Sequence, residues 1–183
     1  MSTLELKELS APAGEVIKIA AGKTLDLNSQ GTLVLPTIPA TKMPTGSVLQ
    51  VQYMSIGGNV TNTSSTYADT GVNVSITPSS TSSKILVFAN MGSCGSNVHV
   101  NAHMSLQMLR GSAAIHVFEG EGGYNASTLS NSFGAAAGMK LDSPSTTSSI
   151  NYKIQMKNKG NAGSVFINGS GGYSSITLME IQG

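Results

Sequence analysis

The sequence predicts an all-β protein whose main domain is an antiparallel β-sandwich or jelly roll. Three observations carry that prediction. Short segments alternate apolar and polar residues, the period of a strand with one buried face. Gly, Ser, Asn and Pro cluster between those segments, where turns are needed. No stretch reads as a convincing helix.

Composition narrows the class. Charged residues make up 10% of the chain, far below the ~25% of ordinary soluble domains. Disordered chains combine low hydrophobicity with high net charge. This one has net charge +1 and regular apolar alternation, so it reads as folded. No basic stripe is present, and a nucleic-acid partner is not expected. Cys94 is the one cysteine, which excludes an intrachain disulfide and a multi-cysteine zinc site. Met1 to Glu8 is polar and carries acids where a secretory signal would have a cationic region and an apolar core. No run approaches the ~20 apolar residues of a membrane helix, so no membrane partner is expected.

Residues 1–35 are expected to form a short β-repeat. Leu9/Ala11, Ile17/Ile19, Leu25/Leu27 and Leu33/Leu35 recur every eight residues, with Gly14, Gly22 and Gly31 between the couplets. Each i, i+2 couplet puts two side chains on one strand face. Strands this short cannot bury a core alone and gain stability by stacking. The expectation is a shaft wound from three chains, or a docking element. The plain alternative is a β-meander. Residues 36–46 hold Pro36, Pro39 and Pro44 and read as an extended linker.

The jelly-roll domain is expected over residues 47–183. Val48 to Met54 is its first strand, and Ser55 to Thr66 a polar loop. Val72, Val74 and Ile76 alternate with polar residues until Pro78 stops the ladder. Ile85-Leu86-Val87-Phe88 is an apolar run of the kind buried on both faces, and that strand runs to Met91. Gly92 to Ser96 reads as a turn. Val98 to Met108 predicts the longest strand, turning at Arg110-Gly111-Ser112 into Ala113 to Phe118. Glu119 to Gly123 reads as a loop. Phe133, Ala135, Ala137, Met139 and Leu141 predict one strand face, and Ile150, Tyr152, Ile154 and Met156 another. Ser164 to Asn168 and Ser174 to Ile181 close the domain, giving about eight or nine strands, a sandwich's complement.

Several stretches carry a resemblance. Asp69-Thr70-Gly71, Val74-Ser75-Ile76-Thr77-Pro78 and Ser82-Ser83-Lys84-Ile85-Leu86-Val87 resemble modules of tail-fibre and other virion appendage proteins of tailed bacteriophages, marine cyanophages especially. So do Leu109-Arg110-Gly111-Ser112, Leu141 to Thr147, Tyr152-Lys153 and Ser174 to Glu180. The resemblance runs roughly from Gly46 to Ile181, most of a domain of ordinary size. Ala21 to Leu27 also resembles phage-fibre text. The layout is further similar to the trimeric jelly rolls of the C1q and tumour-necrosis-factor type, through the hairpin around Leu109-Arg110-Gly111 and an apolar-acid-apolar final strand.

The resemblance implies a non-enzymatic structural protein of a virion, a homotrimeric fibre or appendage involved in host attachment. The virion is then the expected location. Expected partners are other copies of the chain, other virion proteins through the N-terminal region, and a host-surface glycan or protein. The competing readings are a capsid or tail accessory protein and a lectin-like bacterial binding module.

No residues are spaced for catalysis, and no cofactor is expected. His99 and His103 sit four apart in the predicted long strand, so they share a face. A threefold axis could gather copies of both around a metal, but no carboxylate or cysteine is spaced to help, and surface or interface imidazoles are the plainer reading. Glu119 and Glu121 have the look of a glycosidase carboxylate pair, yet a glycine-rich loop does not hold such groups to the required geometry. The loops at one pole, residues 57–66 and 119–131, suit adhesion.

Overall fold

The computed structural model describes residues 38–39, 42–97, 99–123, 131–160 and 162–183. The predicted N-terminal repeat lies outside them. All but Ile38 belong to the compact unit Pro39–Gly183.

These residues form ten strands, and Gly169–Gly171 makes a short 3-10 turn. The strands are β1 (Val48–Gly57), β2 (Val60–Asn62), β3 (Ala68–Ile76), β4 (Lys84–Asn97), β5 (Met104–Arg110), β6 (Ala113–Gly122), β7 (Asn131–Asp142), β8 (Ile150–Asn158), β9 (Ser164–Ile167) and β10 (Tyr173–Ile181). All pairings are antiparallel. The eight longer strands make two sheets, β1-β10-β4-β7 and β3-β8-β5-β6, while β2 and β9 extend the first alongside the upper end of β4. Sheet-to-sheet alternation of successive strands is the jelly-roll arrangement.

The core lies between the sheets. Ile85, Val87, Ala89 and Met91 of β4 and Ile176 and Leu178 of β10 face Met104, Leu106 and Met108 of β5 and Tyr152, Ile154 and Met156 of β8. Each fully buried side chain of this size contributes about 1.5–3 kcal/mol. The fold therefore rests on the alternation read in the sequence.

Bulges alter the predicted register in two places. β4 continues through Gly92 to Ser96, predicted as a turn, because its pairing shifts between Met91 and Cys94. Ser93 adopts a positive φ of 44° there. The extra residue turns Cys94 into the core. Opposite it, Gly134 (φ 92°) bulges β7. Phe133 consequently packs on the core, while Ala137, Met139 and Leu141, predicted on the same face, point outward and are exposed. The predicted long strand from Val98 is also shortened. Residues 99–103 are a turn, where the amide of Ala102 donates to the His99 carbonyl at 3.1 Å, and β5 starts at Met104. The predicted loop at Glu119 to Gly122 is the end of β6.

Two hydrogen-bonded clusters close one pole. The Gly46 amide donates to the Gln182 carbonyl (2.8 Å) and the Gln182 amide to Ser47 (2.9 Å), which joins the two ends of the domain. Beside them the buried Glu180 carboxylate accepts from the Ser79 amide (2.7 Å), the Ser79 and Ser83 hydroxyls (2.6 and 2.7 Å) and Gln50 Nε2 (2.6 Å). That fixes the β3–β4 turn to β1 and β10. Burial alone would raise this carboxyl, but these bonds outweigh it and hold it below the usual carboxylate range. At the same pole Arg110 Nη1 donates to both Asp142 oxygens at 3.1 Å, and Tyr152 Oη donates to Asp142 at 2.6 Å, linking the two sheets.

Candidate assembly face

The outward surface of β1-β10-β4-β7 is built from strand registers that align across the sheet. Val51 pairs with Met179, Met179 with Leu86, and Leu86 with Leu141. The next outward row is Tyr53, Thr177, Phe88 and Met139. The row beyond is short: Ser55, Ser175, Asn90 and Ala137. None of these twelve positions is charged. Exposed Val51, Tyr53, Phe88, Met139 and Leu141 all fall in the first two rows, and Val48 and Tyr173 extend the same strands.

Strand spacing of about 4.8 Å and a two-residue repeat of about 6.8 Å give the first two rows roughly 260 Å² and the short row about 130 Å² more. The largest apolar patch on a monomer is commonly about 300–600 Å² and often functional, and the first two rows approach that size. The step from the tall Phe88/Met139 row to the short Asn90/Ala137 row leaves a depression of about 490 Å³, open to solvent. The face thus has a ridge and a shelf.

The outward surface of β3-β8-β5-β6 is its chemical opposite. Gln107 Nε2 donates to Gln155 Oε1 (2.9 Å), Gln155 Nε2 to Asp69 (2.7 Å) and Lys153 Nζ to Asp69 (2.8 Å). Asn151 Nδ2 donates to Asn73 (3.1 Å) and Ser75 (3.2 Å). Lys157 sits 4.5 Å over the Tyr67 ring, whose hydroxyl meets Ser105 Oγ at 2.7 Å. The hydrogen bond from Lys153 to Asp69 holds that carboxyl below its ordinary value against its partial burial.

The residues singled out in the sequence lie elsewhere. His99 and His103 flank the turn at Asn101 rather than sharing a strand face. His99 Nδ1 accepts from the Asn101 amide (3.1 Å), and His103 Nδ1 meets the Asn101 carbonyl (2.8 Å), so each ring is held by backbone. Among the described residues no group of three or more His, Cys, Asp or Glu side chains converges on a metal position. Glu119 accepts from the Glu121 amide (3.0 Å), while Glu121 pairs with Lys159, which lowers its pKa. Cys94 is buried and donates to the Met91 carbonyl (3.2 Å); burial pushes its thiol up to about 11.

The apolar face itself was not singled out by sequence reasoning, but a signal for it existed. The run Ile85 to Phe88 reads as a strand buried on both faces. In the single chain Ile85 and Val87 are fully buried, whereas Phe88 is 38% exposed.

No protein-family model matches this chain, and no curated protein matches it. Among solved structures it is similar to the infectious bursal disease virus VP2 subviral particle, with 13% identity and a TM-score of 0.40 over 81% of this chain and 37% of that one. It is also similar to the infectious bursal disease virus Gx strain structure, with 15% identity and a TM-score of 0.37 over 75% and 34%. This chain spans about a third of the length of each.

Proposed function

We propose that this chain is a non-enzymatic structural component of a virion, a small homotrimeric appendage involved in host attachment. The uncharged apolar face of β1-β10-β4-β7 carries the reading. In two aligned rows Val51, Tyr53, Phe88, Met139 and Leu141 stand exposed on an otherwise well-packed sandwich. Another copy of the chain is the natural cover, because three copies around an axis turn the same face inward and a face without charge suffers no self-repulsion. The sequence likeness to tailed-phage appendages and the layout of trimeric jelly rolls support a virion role and threefold closure. The polar outer sheet and the loops at the pole opposite Gly46 would then face outward.

Light scattering tests the assembly. Three chains of 18.7 kDa should give about 56 kDa. A chain beginning at Gly46 keeps 138 residues and should still be a trimer, of about 42 kDa, if the face holds it. Met139→Lys and Leu141→Lys alter side chains that are 57% and 49% exposed, so the sandwich itself should survive. Placing like charges in the contact costs several kcal/mol and should yield monomers with unchanged circular dichroism. A wild-type monomer would refute the trimer, and a doubly substituted trimer would refute this face. Labelling of purified particles with antibody to the chain tests the virion role.

A further inference from the structure

On the attachment reading above, we infer that a cleft at the β3 bulge binds one neutral sugar ring of a surface glycan. The β3–β8 ladder breaks between Asp69–Gln155 and Asn73–Lys153. Thr70, Gly71 and Val72 of β3 span the interval that Ile154 alone fills on β8. Their departure from the ladder opens a cleft of about 190 Å³, lined by Asp69, Gly71, Asn73, Asn151 and Lys153.

The bulge is held in place. Thr70 Oγ1 donates to the Ile154 carbonyl (2.8 Å) and accepts from the Val72 amide (3.2 Å). Gly71 supplies the φ of +85° that the bend requires, and Asn73 Nδ2 donates to the Gly71 carbonyl (3.0 Å). A cleft fixed this way binds without first paying to order itself.

Its chemistry points to a neutral polyol. The Asp69 carboxylate and Lys153 ammonium, 2.8 Å apart, cancel each other's charge, so neither an anion nor a cation is favoured. Both keep hydrogen-bonding capacity: an ammonium has three donors, a carboxylate about four acceptor positions. Asn151 and Asn73 add amides of both polarities. Sugar hydroxyls both donate and accept, which this mixed lining suits. The volume is about six times water's share of the liquid. One ring that reproduces the hydrogen bonds of several ordered waters gains by releasing them together. The rest of this sheet face, from Gln107 to Gln155, is closed by its own ladder. The cleft also lies on the sheet opposite the apolar face, so assembly would leave it open.

The test is amide NMR on the full-length protein with methyl glycosides of glucose, galactose, mannose and N-acetylglucosamine. Each is titrated to about 50 mM, well above the ~1 mM of a weak specific site. At least one should produce saturable shifts at Gly71, Asn73 and Asn151. Asn151→Ala and Lys153→Gln should each weaken that binding about tenfold or more, since the hydroxyls lose built partners. No saturable shift with any sugar, shifts centred elsewhere, or binding unchanged in both variants would overturn the inference. Light scattering on the same samples and staining of bacterial host cells with labelled protein are scored separately. Cell staining or a trimer without sugar binding removes the cleft alone. Sugar binding without staining keeps the cleft and removes the attachment role.

Discussion

Replacing Glu180 by Gln tests whether one buried carboxylate secures the closed pole of the sandwich. One oxygen, Oε1, accepts from the Ser79 amide and the Ser79 and Ser83 hydroxyls, and Oε2 from Gln50 Nε2. A Gln oxygen can keep the three bonds on the first side at neutral strength, losing about 1 kcal/mol each relative to charge-assisted bonds. On the other side its amide nitrogen would face Gln50 Nε2, donor against donor. Gln50 cannot simply invert, because its Nε2 also serves the Thr77 carbonyl and its Oε1 accepts from Gln52. Relief of the buried charge offsets part of the loss. The net cost should be about 2–3 kcal/mol, or roughly 5–10 °C in Tm for a domain of this size. Glu180→Ala, which abandons all four donors, should cost about 4–5 kcal/mol.

The same carboxyl predicts a pH signature. Its pKa is lower folded than unfolded. Its stabilisation is therefore complete above the unfolded value, near ~4.3, and drains as pH falls through the folded value. Urea unfolding followed by circular dichroism from about pH 7 to about pH 3, at one protein concentration because the proposed assembly would be linked to stability, reads both effects. The Gln variant should be weaker at neutral pH and lose less on acidification. Asp69 and Glu121, also depressed, leave it a residual slope. Equal midpoints at neutral pH, or an unchanged acid slope, would refute the reasoning.

The bulge in β4 supplies a second stability test. A Cβ at Gly92 would collide with the backbone carbonyl of Tyr173, whereas one at Gly120 meets open space. Gly92→Ala should cost about 2–4 kcal/mol, and Gly120→Ala about 0.5 kcal/mol or less, in urea unfolding. Equal effects would show that β4 and β10 can separate there freely. Cys94, buried with its thiol pushed up to about 11, should ignore a disulfide reagent at neutral pH in the folded protein and react once on unfolding. Rapid native labelling would mean that the β4–β7 contact opens easily.

Strand identity was legible because alternation reports directly which side chains meet the core. Ile150, Tyr152, Ile154 and Met156 can be assigned to one face with no knowledge of their partners, and only Ile150 at the strand's start is less than fully buried. The bulges were not legible. Gly134 looks like any glycine, yet its extra residue sends Phe133 inward and Met139 outward. Val100 and Ala102 continue the alternation of β5 on paper, but the chain is still turning there to reach it. The polar cleft and the closed pole depend on contacts that local pattern cannot encode: Lys153 reaches Asp69 across 84 residues, and Ser79 reaches Glu180 across 101.

The apolar face sits between these cases. Ile85-Leu86-Val87-Phe88 reads as a strand apolar on both sides, and that reading requires two covers. The β3-β8-β5-β6 sheet supplies one, and Ile85 and Val87 are fully buried beneath it. The described residues supply none for Phe88. Met139 and Leu141 on β7, and Val51 and Tyr53 on β1, share that deficit in the same rows. A lone exposed phenylalanine needs no explanation, since soluble surfaces carry many apolar atoms. Two aligned rows across four strands do, because their exposure is cooperative and so is the gain from covering them. The pattern in β4 thus fits the assembly proposed above, in which another chain would supply the second cover.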